Sequence, residues 1–239
     1  MIQCKNLTKR FGNKVAVDTL DLTVQPGKIT GFIGPNGAGK TTTLKMMCGI
    51  LRPDAGTCLL NDIDIQTDDI NAKKQFGFVA DSPDSFLQLK GIEYINFVAD
   101  MYDVESEVRQ QRIEQLTKEF KMDDVLHNKL STYSHGMRQK IMMIAVLIHD
   151  PSIWILDEPL TGLDPTASFS LKQMMRQHAD RGNTVLFSTH VLEVAEKLCD
   201  EIAIIDQGAL KYQGTLENLR AQYPEKSLED IFFEVTSYE

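Results

Sequence analysis

Gly34-Pro35-Asn36-Gly37-Ala38-Gly39-Lys40-Thr41 follows without a break on Ile29-Thr30-Gly31-Phe32-Ile33, a short apolar run bounded upstream by Pro26-Gly27. The run predicts a buried strand, and Thr41-Thr42-Thr43-Leu44-Lys45-Met46-Met47 continues from the loop as a helix. Gly34, Gly37 and Gly39 carry no Cβ, so the backbone between strand and helix can turn successive N–H groups inward and approach an oxygen closely. The positive end of the helix dipole favours the same negative charge. The loop from Gly34 to Thr42 therefore predicts a cradle for a nucleotide triphosphate. Lys40 supplies a mobile ammonium for the β- and γ-phosphates, and the Thr41 hydroxyl is a ligand for Mg²⁺.

A second stretch supplies carboxylates. Asp150-Pro151 predicts the end of a helix, because proline disfavours helical geometry in its predecessor. Ser152-Ile153-Trp154-Ile155-Leu156 then reads as a strand buried on both faces of a parallel sheet. Asp157 and Glu158 at its end are costly unless a cation or a catalytic task holds them there. Successive side chains leave an extended backbone in opposite directions. Asp157 is accordingly assigned to the Mg²⁺ shell and Glu158 to polarising the attacking water. Two further stretches join the set. Ser134-His135-Gly136-Met137 is a polar loop that opens a helix, too far along the chain to belong to the first loop. Ser188-Thr189-His190 ends the apolar run Thr184-Val185-Leu186-Phe187.

In order and spacing, Gly34 to Thr41, Ser134-His135-Gly136-Met137-Arg138-Gln139, Leu156-Asp157-Glu158-Pro159, Thr161-Gly162-Leu163-Asp164 and His190 together resemble the ATP-binding subunit of an ABC transporter. The resemblance runs over nearly the whole chain. It implies ATP and Mg²⁺ as cofactors and a dimer that closes on ATP, formed with a second ATP-binding subunit, identical or not. It also implies a separate transmembrane transporter subunit and a place on the cytoplasmic face of the membrane. Phe11 occupies the position of the aromatic that stacks on adenine, with Val15 and Val17 adding apolar contact; a core role for Phe11 is the alternative. Ser134, His135, Gly136 and Met137 match the signature loop, which caps the γ-phosphate of ATP held by the second subunit. Asp164 matches the loop that links the two sites, and His190 the histidine that contacts the γ-phosphate and orients water with Glu158. Lys40, Glu158 and His190 form the catalytic set.

The chain departs from the family pattern in places. After Phe76-Gly77-Phe78-Val79-Ala80 the family usually has glutamine, whereas this chain has Asp81. Asp81 either reaches the metal on a shorter arm or belongs to an Asx-type turn, Asp81-Ser82-Pro83-Asp84. His135 and Met137 stand where glycine and glutamine are commoner, which bears on turnover more than on ATP binding.

The expected fold is α/β, a P-loop NTPase parallel-sheet core with an N-terminal antiparallel β subdomain and an inserted helical arm. The arm is expected at about 83–150, where Ile92, Ile95, Val98, Met101 and Tyr102 recur at helical spacing. Alternating strands and helices from Ser152 to Ile205 predict a parallel sheet with ligand residues at its carboxyl ends. The ATP-binding domain is expected to span 1–217. The remainder, 218–239, is read as a short extension with an amphipathic helix over Leu228–Val235, a tail that resembles those of export-type systems.

At 239 residues the chain suits one domain, and its net charge of −9 argues against nonspecific nucleic-acid binding. Lys5, Lys9, Arg10 and Lys14 read as a solvated face. The four cysteines have no metal-like spacing and are expected as packed thiols. The longest apolar run, Ile141 to Ile148, is well short of the roughly 20 residues needed to span a bilayer. The amino terminus lacks a signal-peptide layout, so a cytoplasmic location is expected. The function so read is an ATPase driving transport through a membrane partner. The alternatives are a soluble ATPase of the same superfamily and a weakly hydrolysing nucleotide-gated regulatory module.

Overall fold

Strands β1 (Ile2–Phe11) and β2 (Lys14–Val24) pair antiparallel through a tight turn at Gly12-Asn13. Ile2, Cys4 and Leu7 of the first meet Leu20, Leu22 and Val24 of the second in the core. The computed structural model describes residues 1–81 and 86–236 of the chain. The expected turn at Asp81-Ser82-Pro83-Asp84 therefore lies, from Ser82 on, outside the described residues, as does the start of the helical arm at 83.

Strand β3 (Ile29–Ile33) is wholly buried and leads through the glycine loop into helix α1 (Lys40–Met47). Strands β4 (Ala55–Leu60) and β5 (Ile63–Asp64) complete a four-stranded antiparallel sheet in the order β2-β1-β4-β5. Cys4 and Cys58 are cross-strand partners with their sulfurs 3.1 Å apart; both are free thiols.

Helix α2 (Asp69–Lys73) precedes strand β6 (Phe76–Val79), and the arm follows as helices α3 (Gly91–Met101), α4 (Ser106–Phe120) and α5 (His135–Leu147). Ile95 and Ala99 of α3, Leu116 and Phe120 of α4, and Ile141, Ile144 and Ala145 of α5 share one apolar cluster with the core sheet. Burying one large aliphatic side chain of this kind is worth about 1.5–3 kcal/mol. Helix α5 stops at Leu147, earlier than the sequence suggests. Pro151 bars Asp150 from the helical region, and Asp150 instead takes φ 53° in a turn closed by its N–H on the Leu147 carbonyl at 3.0 Å.

Strand β7 (Ile153–Leu156), helix α6 (Pro165–Asp180), strand β8 (Thr184–Thr189), helix α7 (Leu192–Leu198) and strand β9 (Glu201–Asp206) alternate as expected. Strand β10 (Ala209–Gly214) then returns antiparallel along β9, giving a six-stranded sheet in the order β10-β9-β3-β8-β7-β6, with parallel pairing everywhere else. The hairpin turn Gln207-Gly208 has positive φ at both residues, the condition for a two-residue turn matched to strand twist.

Helices α8 (Leu216–Gln222) and α9 (Leu228–Val235) end the described chain, and the expected boundary at 217/218 falls inside the former. Leu219, Leu228, Ile231 and Phe232 pack with Ile33, Ile202 and Ile204, so this segment rests on the core sheet. In register, Ile33 stands beside Thr189, Leu156 beside Phe187 and Val79 beside Leu156. Gly34, Asp81, Asp157 and His190 thus leave four strands at one edge of the sheet.

Candidate active site

The loop after β3 is held by contacts that only glycine permits. A Cβ on Gly34 would press into the Ile205 carbonyl oxygen, and one on Gly39, at φ 110°, would lie 2.6 Å from the Ala16 carbonyl oxygen. Gly37 has φ 81° and open space around it. Its backbone therefore needs glycine for conformation rather than room. Gly39 caps α1 with no side-chain bond to the first amides, leaving those donors at the helix start for an anion. The Lys40 ammonium is folded back over the loop, donating to the Gly34 carbonyl at 2.6 Å and the Pro35 carbonyl at 3.2 Å. Burial lowers its pKa, and the nearby Glu158 and Asp157 carboxylates pull it back up.

Beyond β7 the two carboxylates diverge. Asp157 is 1% exposed and its Oδ1 accepts from the Ser188 hydroxyl at 2.6 Å. The Ser188 oxygen in turn accepts the Glu158 N–H at 2.9 Å. One hydroxyl on β8 therefore fixes the carboxylate of Asp157 and the backbone of Glu158. Glu158 itself has φ 48°, a left-handed turn that ends the strand and re-aims its side chain. Its Oε1 lies 3.9 Å from the Lys40 ammonium and its Oε2 3.1 Å from His190 Nδ1. His190 is exposed and follows directly on β8. Lys40, Glu158 and His190 thus form a line at the end of the sheet, with Asp157 buried close by.

A cavity of about 350 Å³ opens over Lys40 and Glu158, within the range of small-molecule sites, while His190 lines a neighbouring cavity that also reaches Glu158. Phe11, Lys14, Ala16, Pro35, Asn36, Gly37, Gly39, Lys40, Thr41, Thr42, Asp81 and Glu158 line the former. Phe11 is 51% exposed at its rim, with the Lys9 ammonium 5.8 Å from the ring centroid. Gly34 and Ala38 lie in the loop beneath: the Ala38 side chain is 3% exposed, and its carbonyl accepts from Gly208 at 2.9 Å. Val17 is placed elsewhere, fully buried in the core, and Ala16 faces the cavity beside Phe11. Lys14, read from sequence as solvated, also lines the cavity.

Ser134, His135, Gly136 and Met137 do not line it. They form the first turn of α5, where the Ser134 hydroxyl accepts the Met137 N–H at 3.3 Å. Ser188, two residues before His190, also belongs to the site, through Asp157 and the Glu158 backbone. Its signal in the sequence is a hydroxyl following the apolar run Val185-Leu186-Phe187, where an unpaired hydroxyl would be costly.

Residues 17–161 match the family model described as ABC transporter. The ABC-type transporter ATP-binding protein EcsA of Bacillus subtilis (strain 168) is 33% identical over 99% of this chain and 96% of its own length. The ABC transporter ATP-binding protein NatA of the same organism is 33% identical over 97% and 96%. Among solved structures, an ATP binding subunit of an ABC transporter superposes with a TM-score of 0.93 at 29% identity, covering 98% of this chain and 99% of that one. Family match, near full-length relatives and common fold agree with the phosphate loop and paired carboxylates, and the chain belongs to the ABC transporter family as one of its ATP-binding, ATP-hydrolysing subunits.

Proposed function

We propose that the chain binds Mg·ATP in the cavity between Phe11 and Glu158 and hydrolyses it in a dimer whose second member supplies the tip of α5. One observation carries this reading. The amides at the start of α5 suit an anion, yet residues 134–137 do not line the cavity that holds the phosphate loop. A second copy, placed head to tail, would bring Ser134, Gly136 and their neighbours His135 and Met137 onto a γ-phosphate gripped by Lys40. Ser134→Arg tests the arrangement: ATP binding to the isolated chain should persist, while ATP-driven association and turnover are lost. Retained association in that variant would remove the α5 tip from the second half-site.

Phe11 would stack on the base, and the amides from Gly34 to Thr42 would hold the phosphates. Thr41 and Asp81 line the same cavity and, with Asp157 buried close to Lys40, would offer hard oxygen donors for Mg²⁺. Among the described residues no cluster of three or more His, Cys, Asp or Glu is arranged to hold a metal alone. That suits an ion carried largely by phosphate oxygens and water; when bound, it would neutralise charge on the transferred phosphoryl group. Glu158 would take the proton of the attacking water while His190 holds the carboxylate and the γ-phosphate in line. Asp81→Ala should lower Mg²⁺-dependent hydrolysis about 10-fold or more, with nucleotide affinity changed far less. Unchanged turnover would take Asp81 out of the site.

Among the described residues no helix is long and apolar enough to cross a membrane. We assign the transmembrane subunit's docking face to Phe86 and helix α3 of the arm. There Phe86, at φ 57°, brings its ring within 5.5 Å of Tyr94 and 5.7 Å of Phe97, and Phe86, Phe97 and Met101 are all exposed. A contiguous exposed aromatic patch is the usual mark of a protein interface. Phe97→Glu should abolish co-purification with the membrane fraction and leave basal hydrolysis intact; undiminished co-purification would move the docking face elsewhere.

A further inference from the structure

The tip of α5 and the loop after Glu158 touch at four points within one chain. A Cβ on Gly136 would lie 2.6 Å from the Gly162 carbonyl oxygen, and a Cβ on Gly162 would lie 2.7 Å from His135 Cδ2. The imidazole therefore rests directly on the Gly162 backbone, at φ 78°. Gln139, 1% exposed, donates to the Pro159 carbonyl at 3.3 Å. The Lys140 ammonium meets Asp164 Oδ2 at 2.6 Å, while Asp164 Oδ1 accepts the Ala167 N–H at 2.9 Å and caps α6. Those two hydrogen bonds, Lys140 first, hold the Asp164 carboxyl below its ordinary pKa. The loop itself begins at Glu158, whose carbonyl accepts the Thr161 N–H at 3.1 Å.

We infer that His135, with Lys140, is a positioning residue that makes the first turn of α5 and the loop 159–164 one body, so that the pose of Glu158 follows the position of the α5 tip. This rests on Glu158 being the base and on the α5 tip meeting the partner's nucleotide, and deepens that reading. A glycine at position 135 has no side chain to rest on Gly162, so a chain of the commoner pattern would leave this part of the loop unsupported. Here, seizing a γ-phosphate at the α5 tip of one subunit would fix the base of that same subunit for its own nucleotide. The coupling needs no chain of intermediates, because packed groups in direct contact move together.

A double-mutant cycle on steady-state ATP turnover tests it. His135→Gly keeps the backbone amide that the α5 tip offers to the γ-phosphate and removes only the imidazole on Gly162, so kcat should fall about 5- to 10-fold with KM for ATP within twofold of wild type. Gly162→Ala should lower kcat further. The double variant should be no slower than Gly162→Ala alone, since removing the imidazole gives the added methyl room. Losses that simply multiply, or wild-type kcat in His135→Gly, would overturn the inference. Gly162→Ala is also strained by its positive φ, so Lys140 provides a second arm. With thermal midpoints checking the fold, Lys140→Arg should keep kcat within twofold and Lys140→Ala should lose about 5-fold. Equal behaviour of those two would also overturn it. Absence of turnover in the wild-type chain would instead count against the ATPase reading on which the inference stands.

Discussion

Glu158→Gln should bind ATP as tightly as the wild-type chain and turn it over about 10³-fold more slowly, in the range expected for loss of a general base. The substitution keeps the shape of a side chain that lies 3.1 Å from His190 and 3.9 Å from Lys40. It leaves the backbone N–H on Ser188 untouched. What it removes is a carboxylate able to accept a proton at the point where water must be polarised. Nucleotide affinity rests on the loop amides, which the change does not touch, and on Lys40, which keeps its bonds to the Gly34 and Pro35 carbonyls. Phosphate release in a single turnover, read beside equilibrium binding of a fluorescent ATP analogue, separates the two quantities. Turnover within 10-fold of wild type would show that the proton goes elsewhere.

Gly34→Ala should abolish measurable ATP binding, weakening it at least about 100-fold, and destabilise the fold by about 3 kcal/mol, the upper end of overpacking costs. Its methyl would press into the Ile205 carbonyl oxygen and approach Ile205 Cγ2 to 2.9 Å and the Ala38 Cβ to 3.1 Å. A backbone carbonyl in β9 cannot step aside without shifting the strand that pairs with β3. Gly37→Ala provides the control. Nothing lies within 4 Å of a Cβ there, so its cost is the left-handed φ alone, about 1 kcal/mol. Thermal unfolding and nucleotide titration of the two variants check the contrast; equal effects would mean that the loop tolerates a side chain at Gly34.

The elements that could be read from sequence are those where local chemistry and tertiary demand coincide. The strand at Ile29–Ile33 is largely apolar because it is buried along its whole length in a mainly parallel sheet. The glycines after it, and the adjacent carboxylates after Leu156, are costly residues in costly places. The parts not legible depend on register or on partners distant in the chain. Val17 turns into the core and Ala16 to the cavity because β1 and β2 slip register between Leu7 and Lys9, where Thr19 takes φ 47°, and again between Lys9 and Arg10; a slip of one residue swaps the faces of a strand. Lys14, paired with Phe11 beyond the second slip, reaches the cavity. Ser188 shows its function only once β7 and β8 are side by side. The seat of His135 on Gly162 joins residues far apart along the chain, and neither residue announces it alone. Strand β10 and helix α8 hang on the two-residue turn at Gln207-Gly208, whose glycine was visible but whose first residue lacks the usual Asn or Asp preference.

Under the proposed function nucleotide closes two copies, each lending its α5 tip to the other's phosphate loop. Light scattering with size-exclusion chromatography of Glu158→Gln, with and without Mg·ATP, measures this closure directly. The expected result is a monomer of 27.0 kDa without nucleotide and twice that mass with Mg·ATP, the shift abolished by adding Ser134→Arg. A single mass under both conditions, with ATP demonstrably bound, would contradict it.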